Sequence, residues 1–413
     1  MKKHLLLPLA ALVAAALLTT VCPADDTGRR EQSPADAVIR GNNQFALDLY
    51  GRLRAGEGNL FFSPYSVRTA LAMTYTGARG QTATDMAKAL HFSGDGKRVS
   101  RDFGSLIRQL HGGDRERSYS LEVANSLWYR QGDVARAAFT RRLRNQFQAE
   151  VRKADFRGDP EEAAQAINRW VKRKTHGKIT DLIQPGVLNA NTRLVLANAI
   201  YFKARWLAEF VERATQREAF HLSAAKTVTG VPLMHQTNEY RYLDGGTFQL
   251  LELPYERGEL AMVVLLPKKV DGLVSLEKAL TAERLEAWRA RAKPYEVQVT
   301  LPKFKVTAGF TLEQDLAALG MAEAFSPRKA DFSGIGRQRQ LFIARVDHKA
   351  YVAVNEQGTE AAAATAVQAA DAEEADQPKR KKATFRADHP FLFLIRHRAT
   401  GGILFLGRLV NAQ

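Results

Sequence analysis

Residues 192–206, TRLVLANAIYFKARW, are apolar over almost their whole length. A run of this composition and length reads as a central strand buried on both faces, because a half-exposed strand would alternate apolar with polar residues. A second long strand is predicted from Phe342 to Asn355. Two such strands require a large sheet covered on both sides. The chain has 413 residues, 45% of them apolar and 25% charged, enough to build that core without disulfide staples.

The pattern around these strands separates helices from strands. Helical periodicity runs from Asp36 to Arg54, with Val38, Phe45, Leu49 and Leu53 near one stripe. Asn59–Phe62 is a short strand candidate. Ser63-Pro64 reads as a helix start, with serine as cap and proline in the first turn. Thr82, with Asp85 three residues on, reads as the cap of the next helix. Strands are expected at Leu121–Tyr129 and Val297–Val306, and hairpins over Leu250–Pro267 and Phe391–Val410; helices are expected at Ala163–Lys174 and Leu312–Leu319. Helices dominate the first half and strands the second, which argues for a single α+β domain.

Residues 1–24 stand apart. Lys2 and Lys3 precede an apolar run, Leu5–Leu18, of signal-peptide length and too short to span a bilayer comfortably. Cleavage is expected after Ala24, followed by a loose tail over 25–34 and a folded domain over 35–413. This places the protein outside the cytoplasm, secreted or periplasmic, without a transmembrane segment. A rival reading anchors it as a lipoprotein through Cys22, against which Val21 is bulky. Cys22 is the only cysteine and there is no Asn-x-Ser/Thr sequon, which fits a bacterial exported protein. The net charge of +16 reads as a solvated basic surface or a polyanion-binding one; the local clusters are Arg141, Arg142, Arg144 and Lys379-Arg380-Lys381-Lys382.

Enzyme chemistry has no local signature. There is no Gly-x-Ser-x-Gly, His-Glu-x-x-His, Gly-x-Gly-x-x-Gly or Walker loop, and no histidine pair at metal-ligand spacing on a helix. No cofactor or metal is expected.

The segment that does not fit is 356–376, EQGTEAAAATAVQAADAEEAD. By propensity, Thr359–Ala375 is a capped helix. As a strand it would place Thr359, Ala361, Ala363, Thr365, Val367 and Ala369 on one face and Glu360, Ala362, Ala364, Ala366, Gln368 and Ala370 on the other. A strand this slim could slide between two existing strands without overpacking. Both readings stay open, since alanine is a poor strand former.

The run Glu356-Gln357-Gly358-Thr359-Glu360-Ala361-Ala362-Ala363-Ala364-Thr365 resembles the hinge of the serpin family. So do the blocks NLFFSPYS at 59–66, GARGQT at 77–82, THGKI at 175–179, NAIYFK at 198–203 and DHPF at 388–391, in the family's order. Ala204 departs from the usual glycine before Trp206. The resemblance implies a monomeric serpin fold: three β-sheets, eight or nine helices and a reactive loop over about 356–389. It implies an inhibitor, not an enzyme. A serine peptidase, or alternatively a cysteine peptidase, cuts the loop and is trapped as an acyl-enzyme while the loop inserts as a new strand. About a dozen new ladder bonds at ~1 kcal/mol each would rival the whole stability of a domain, so the uncut state must be trapped kinetically.

Residue roles follow from the resemblance. Glu356, Gly358, Thr359 and the run Glu360–Thr365 would form the hinge. Ser63, Ser66, Asn198 and His348 would form a polar shutter beneath the sheet, with a satisfied core histidine as the plainer reading of His348. Trp206, Lys303 and Glu356 would form the breach, where the sheet opens. Counting forward from Glu356 places the reactive bond at Ala372–Glu373, with Asp371 as an alternative; counting back from Pro390 selects Lys379 instead. Lys379–Lys382 is a possible docking site or merely a solvated run. The competing functions are a non-inhibitory binding or chaperone-like serpin and a polyanion-binding protein.

Overall fold

The computed structural model describes residues 34–111, 117–336, 341–359 and 380–413. They belong to one compact unit, Ser33–Gln413. The segments 1–24 and 25–33 lie outside the described residues.

Along the chain, α1 (Pro34–Leu53) leads to β1 (Leu60–Phe62), α2 (Pro64–Tyr75), α3 (Gly80–Ala89) and α4 (Gly96–His111). Then come β2 (Tyr119–Arg130), α5 (Ala137–Phe147), β3 (Glu150–Ala154), α6 (Pro160–Lys174) and β4 (Leu194–Arg205). Next are β5 (Gln216–Ser223), β6 (Lys226–Asp244), β7 (Phe248–Pro254), β8 (Leu260–Pro267), α7 (Leu273–Ala279) and α8 (Ala282–Arg291). The last part holds β9 (Lys293–Pro302), β10 (Phe304–Thr311), α9 (Glu313–Leu316), β11 (Arg345–Asn355), β12 (Gly358–Thr359), β13 (Lys382–Arg386), β14 (Phe391–His397) and β15 (Ile403–Leu409). Among the described residues there are thus nine α-helices, as the resemblance implies.

The strands form a nine-stranded sheet and a six-stranded sheet. Three sheets were expected. Hydrogen bonding merges two of them through β6, whose 19 residues pair with β5, β9 and β7 in turn. The six-stranded sheet runs β10-β11-β12-β4-β2-β3, with β11 also pairing directly with β4. The long apolar run is its central strand: Leu194–Ile200 is fully buried.

The two faces of this sheet meet different layers. Leu196, Ile200 and Phe202 of β4 and Val346, Ala350 and Val352 of β11 face the main core. Val195, Ala197 and Ala199 of β4 and Tyr351 of β11 face a smaller cluster built by α6 and the chain after it, including Ile167, Trp170, Ile179 and Ile183. This alternation is the period of a strand sandwiched between two layers.

Local signals decide several boundaries. Ser63 caps α2, its Oγ accepting from the Ser66 N–H at 3.1 Å, with Pro64 in the first turn. Thr82 is not a cap. Helix α3 starts earlier, at Gly80, and Thr82 lies buried inside it, donating from Oγ1 to Glu323 at 2.8 Å. The helix expected over Leu312–Leu319 is α-helical over Glu313–Leu316 and continues as a wider π-helical turn, Ala317–Met321, interrupted at Gly320, whose φ is +113.

Candidate functional site

The segment after β11 turns back into the sheet. Asn355 Oδ1 accepts the N–H groups of Gln357 and Gly358, both at 3.1 Å, and closes the turn. Gly358 and Thr359 then lie between β11 and β4, antiparallel to both: Thr359 is opposite Val354 and Ala204, and Gly358 is opposite Asn355 and Arg205. Below them β11 and β4 pair directly and in parallel, from Arg345↔Val195 to Ala350↔Ile200. The sheet is therefore parted at its top and closed below. Only glycine fits at 358, where a Cβ would lie 2.1 Å from the Ala204 carbonyl oxygen and 2.7 Å from Arg205 Cα.

Trp206, Lys303 and Glu356 come together at this parting. Glu356 is 6% exposed. Lys303 Nζ reaches its Oε2 at 2.9 Å, and Thr215 donates to Oε1 at 2.9 Å. Burial opposes ionisation of Glu356, but the bonds from Lys303, its own backbone N–H and Thr215 outweigh that and hold the carboxyl below the usual range. The Trp206 backbone N–H donates to Gln357 O at 2.9 Å and its Nε1 to Asn355 O at 3.0 Å. Its ring stacks on Tyr255, centroids 4.6 Å apart and 9° from parallel. Tyr255 in turn meets Thr359, hydroxyl to hydroxyl, at 2.7 Å.

Ser63, Ser66, Asn198 and His348 form one cluster under the closed part of the seam. His348 and Asn198 are register partners on β11 and β4. The Ser63 N–H donates to His348 Nε2 at 3.0 Å, so the other ring nitrogen carries the proton and donates to Asn198 Oδ1 at 2.5 Å. Asn198 Nδ2 donates to Ser66 Oγ at 2.6 Å and to Asn125 Oδ1. Ser63 Oγ donates to Leu404 O at 2.7 Å. Burial pushes the His348 pKa down to about 3, which keeps the ring neutral. No hydrolytic pair forms: the Ser63 hydroxyl faces a carbonyl, and His348 bonds to Ser63 through its backbone N–H rather than its hydroxyl.

Sequence reasoning missed Asn125, Thr215 and Tyr255. Asn125 sits opposite Asn198 across the β2–β4 ladder, so an asparagine inside the apolar strand Leu121–Tyr129 was the available signal.

The far end of the segment joins the other sheet. Strand β13 runs parallel to β9 from Lys382↔Glu296 to Arg386↔Thr300. Arg386 locks it, reaching Glu218 at 2.5 Å and Asp388 at 2.6 Å, while His235 meets Glu218 at 2.6 Å. Of the basic run, Lys379 is outside the described residues. Arg380 pairs with Glu239, the Lys381 carbonyl accepts from the Glu296 N–H at 3.0 Å, and Lys382 reaches Glu296 at 3.2 Å. Two of these cations thus answer acids of their own chain. Glu360, Ala361, Ala362, Ala363, Ala364 and Thr365, together with Asp371, Ala372 and Glu373, also lie outside the described residues. Arg141 and Arg144 stand exposed on α5. Among the described residues no group of His, Cys, Asp or Glu could hold a metal ion, and no helix is long and apolar enough to cross a membrane.

A family profile described as "Serpin (serine protease inhibitor)" matches residues 40–412. An uncharacterized serpin-like protein of Thermococcus kodakarensis is 40% identical over 91% of this chain and 86% of its own length. The human leukocyte elastase inhibitor is 40% identical over 90% of this chain and 99% of its own length. The crystal structure of Serpin48 from Tenebrio molitor, described as a highly specific serpin, covers 94% of this chain and 100% of its own at TM-score 0.80 and 31% identity. These relatives come from an archaeon, a mammal and an insect, and lend no support to the bacterial origin expected from the missing disulfides and sequons.

Proposed function

Because this chain belongs to the serpin family, whose members are not catalytic enzymes, and is similar to leukocyte elastase inhibitors, we propose that it inactivates a serine endopeptidase as a suicide substrate. The peptidase cuts the loop between β12 and β13 and becomes acylated. The cut loop then inserts between β11 and β4 and carries the tethered enzyme to the far end of the sheet. The observation that carries this reading is the placement of Gly358 and Thr359. They already occupy strand positions in the seam, antiparallel to both neighbours, as an inserting strand must be.

The hinge register also bears on the reactive bond. Extended downward one residue at a time, it sets Gln368 opposite Arg345 and Val195, the foot of the β11–β4 ladder. An acyl bond at Ala372 would hold the enzyme within about 14 Å of that foot, and one at Lys379 within about 37 Å. Only the short tether presses the enzyme against the body of the inhibitor, so we place the cut at Ala372–Glu373. A small residue there suits an elastase-like or subtilisin-like target. Export is part of the same proposal: residues 1–24 are removed and the inhibitor works outside the cytoplasm.

The test is incubation with elastase-, subtilisin- and trypsin-like peptidases. The expected result is an SDS-stable adduct and a released C-terminal fragment beginning at Glu373. A fragment beginning at Arg380 would move the bond to Lys379. Clean cleavage without an adduct would overturn the inhibitory reading in favour of a non-inhibitory binding protein.

A further inference from the structure

A cavity of ≈170 Å³ opens beside β2, where that strand meets α2, α4, the end of α5 and the last residue of α6. Its floor is buried: Tyr65 and Thr69 of α2, Ile107 of α4 and Phe147 of α5 are each no more than 3% exposed. Its rim carries Glu122 and Lys174, one acid and one base, both exposed, so the floor can be reached from solvent.

Two polar groups on this cavity have nothing to bond. The Tyr65 hydroxyl and His111 Nε2 are buried and have no hydrogen-bond partner among the described residues. Buried polar atoms are nearly always paired, because an unpaired one has lost its water and gained nothing in return. Other polar groups of the floor are already engaged. Thr69 donates to the Tyr65 carbonyl at 2.6 Å, and Asn125 Oδ1 accepts from Asn198. That leaves Tyr65 and His111 as the buried groups open to an occupant.

The lining dictates the chemistry of that occupant. Burial raises the Tyr65 pKa and lowers that of His111, so both are neutral at pH 7. Lys174 is taken by Glu150 at 3.0 Å and Glu122 adds a negative charge, so an anion would find no unpaired cation here. A cation would be stripped of water over Ile107 and Phe147 and meet only neutral groups on the floor. The occupant is therefore uncharged. A hydroxyl both donates and accepts at one atom, so it can pair with a tyrosine hydroxyl and with either tautomer of a neutral histidine. The volume is close to that of an engineered cavity, about 150 Å³, that takes benzene.

We propose that this cavity is a binding site for a small neutral aromatic alcohol, its hydroxyl pairing with Tyr65 and His111 and its ring resting on Ile107 and Phe147.

The test uses the full chain with phenol and toluene as probes, which differ by a hydroxyl against a methyl group. Calorimetric titration should show one saturable phenol site, with affinity about tenfold above that for toluene. The His111 Nε2 resonance should shift in 15N spectra on adding phenol and remain unchanged with toluene. Tyr65→Phe removes a hydroxyl that has no partner, so its guanidinium midpoint should not fall below wild type. This variant should bind toluene as wild type does and lose most of the preference for phenol. No saturable phenol binding, meaning a cavity that holds water only, overturns the proposal. So does equal affinity for phenol and toluene, or an undiminished preference for phenol in Tyr65→Phe. Every measurement is made on uncut protein, so the outcome is independent of whether a peptidase is trapped.

Discussion

The hydroxyls of Tyr255 and Thr359 meet at 2.7 Å in a site where both residues are buried, at the point where the loop enters the sheet. Burial pushes the Tyr255 hydroxyl well up, so it stays neutral and can donate or accept there. Thr359→Arg replaces the small hydroxyl with a buried cation where the side-chain partner, Tyr255, offers only a neutral hydroxyl. A buried unpaired charge costs more than the ladder bonds of a few residues supply. The variant should still be cut at the loop but should release free peptidase, converting the inhibitor into a substrate. Gel analysis of adduct against cleaved product checks this, and adduct at the wild-type yield would show that Thr359 need not be buried for trapping.

Acid should loosen the protein through His348. Its folded pKa, about 3, lies below the ordinary 6.5. The unfolded chain therefore takes up a proton as pH falls through 6.5, while the folded chain resists until about 3. Stability is lost across that window, at up to about 1.4 kcal/mol per pH unit and on the order of 5 kcal/mol in all. His348→Gln keeps a donor and an acceptor without the titration. Its guanidinium midpoint should start below wild type at pH 7 and fall less steeply between pH 6 and 4. Parallel curves for the two proteins would remove His348 as the cause.

Glu356 should act in a lower range and at a different place. Burial disfavours its charge, yet the bonds from Lys303, the backbone and Thr215 win and depress its pKa below 4.5. A depressed carboxyl stabilises the fold above its unfolded value, and that contribution is lost as pH falls through the folded value. Trp206 reports on the same place, since its backbone and ring nitrogens are both bonded to the 355–357 turn. Lys303→Ala leaves the carboxylate buried without its cation, so the fluorescence change on acidification should begin at higher pH than in wild type. An unchanged onset would mean that the 2.9 Å ion pair contributes nothing to closure.

The fold was readable where composition forced one answer. Residues 192–206 read as a doubly buried strand, as β4 is; the slim run after Glu356 read as helix or strand alike, and of it only Gly358 and Thr359 lie among the described residues, as a strand. Ser63, Ser66, Asn198 and His348 were readable because the family pattern marks them. Asn125 was not, because its role depends on standing opposite Asn198, and register is invisible within one strand. Thr215 and Tyr255 reach the hinge from distant loops, and nothing in their neighbours' sequence marks them. Strands β5 and β6 were missed because their burial alternates irregularly around Gly230 and Pro232. The lock of Arg386 on Glu218 joins residues 168 positions apart and rests on tertiary placement alone.

Gly358 offers the sharpest test of whether the hinge must enter the seam. A Cβ there would strike the Ala204 carbonyl oxygen and Arg205 Cα, both backbone atoms of a central strand paired with β2 on its other side, so neither can yield. Gly358→Ala should therefore expel residues 358–359 from the sheet before any peptidase arrives. Their ladder bonds and the Tyr255–Thr359 contact would be lost, and exchange of the Gln357 and Thr359 amides should accelerate. The same methyl obstructs the first step of insertion after cleavage, so trapping should fall as well, with more peptidase released uninhibited per adduct formed. An alternative substitution, Thr359→Ser, keeps the small hydroxyl and should leave both properties near wild type. If Gly358→Ala instead traps as efficiently as wild type, residue 358 stays outside the seam throughout inhibition, and the strand that enters must begin further along the loop.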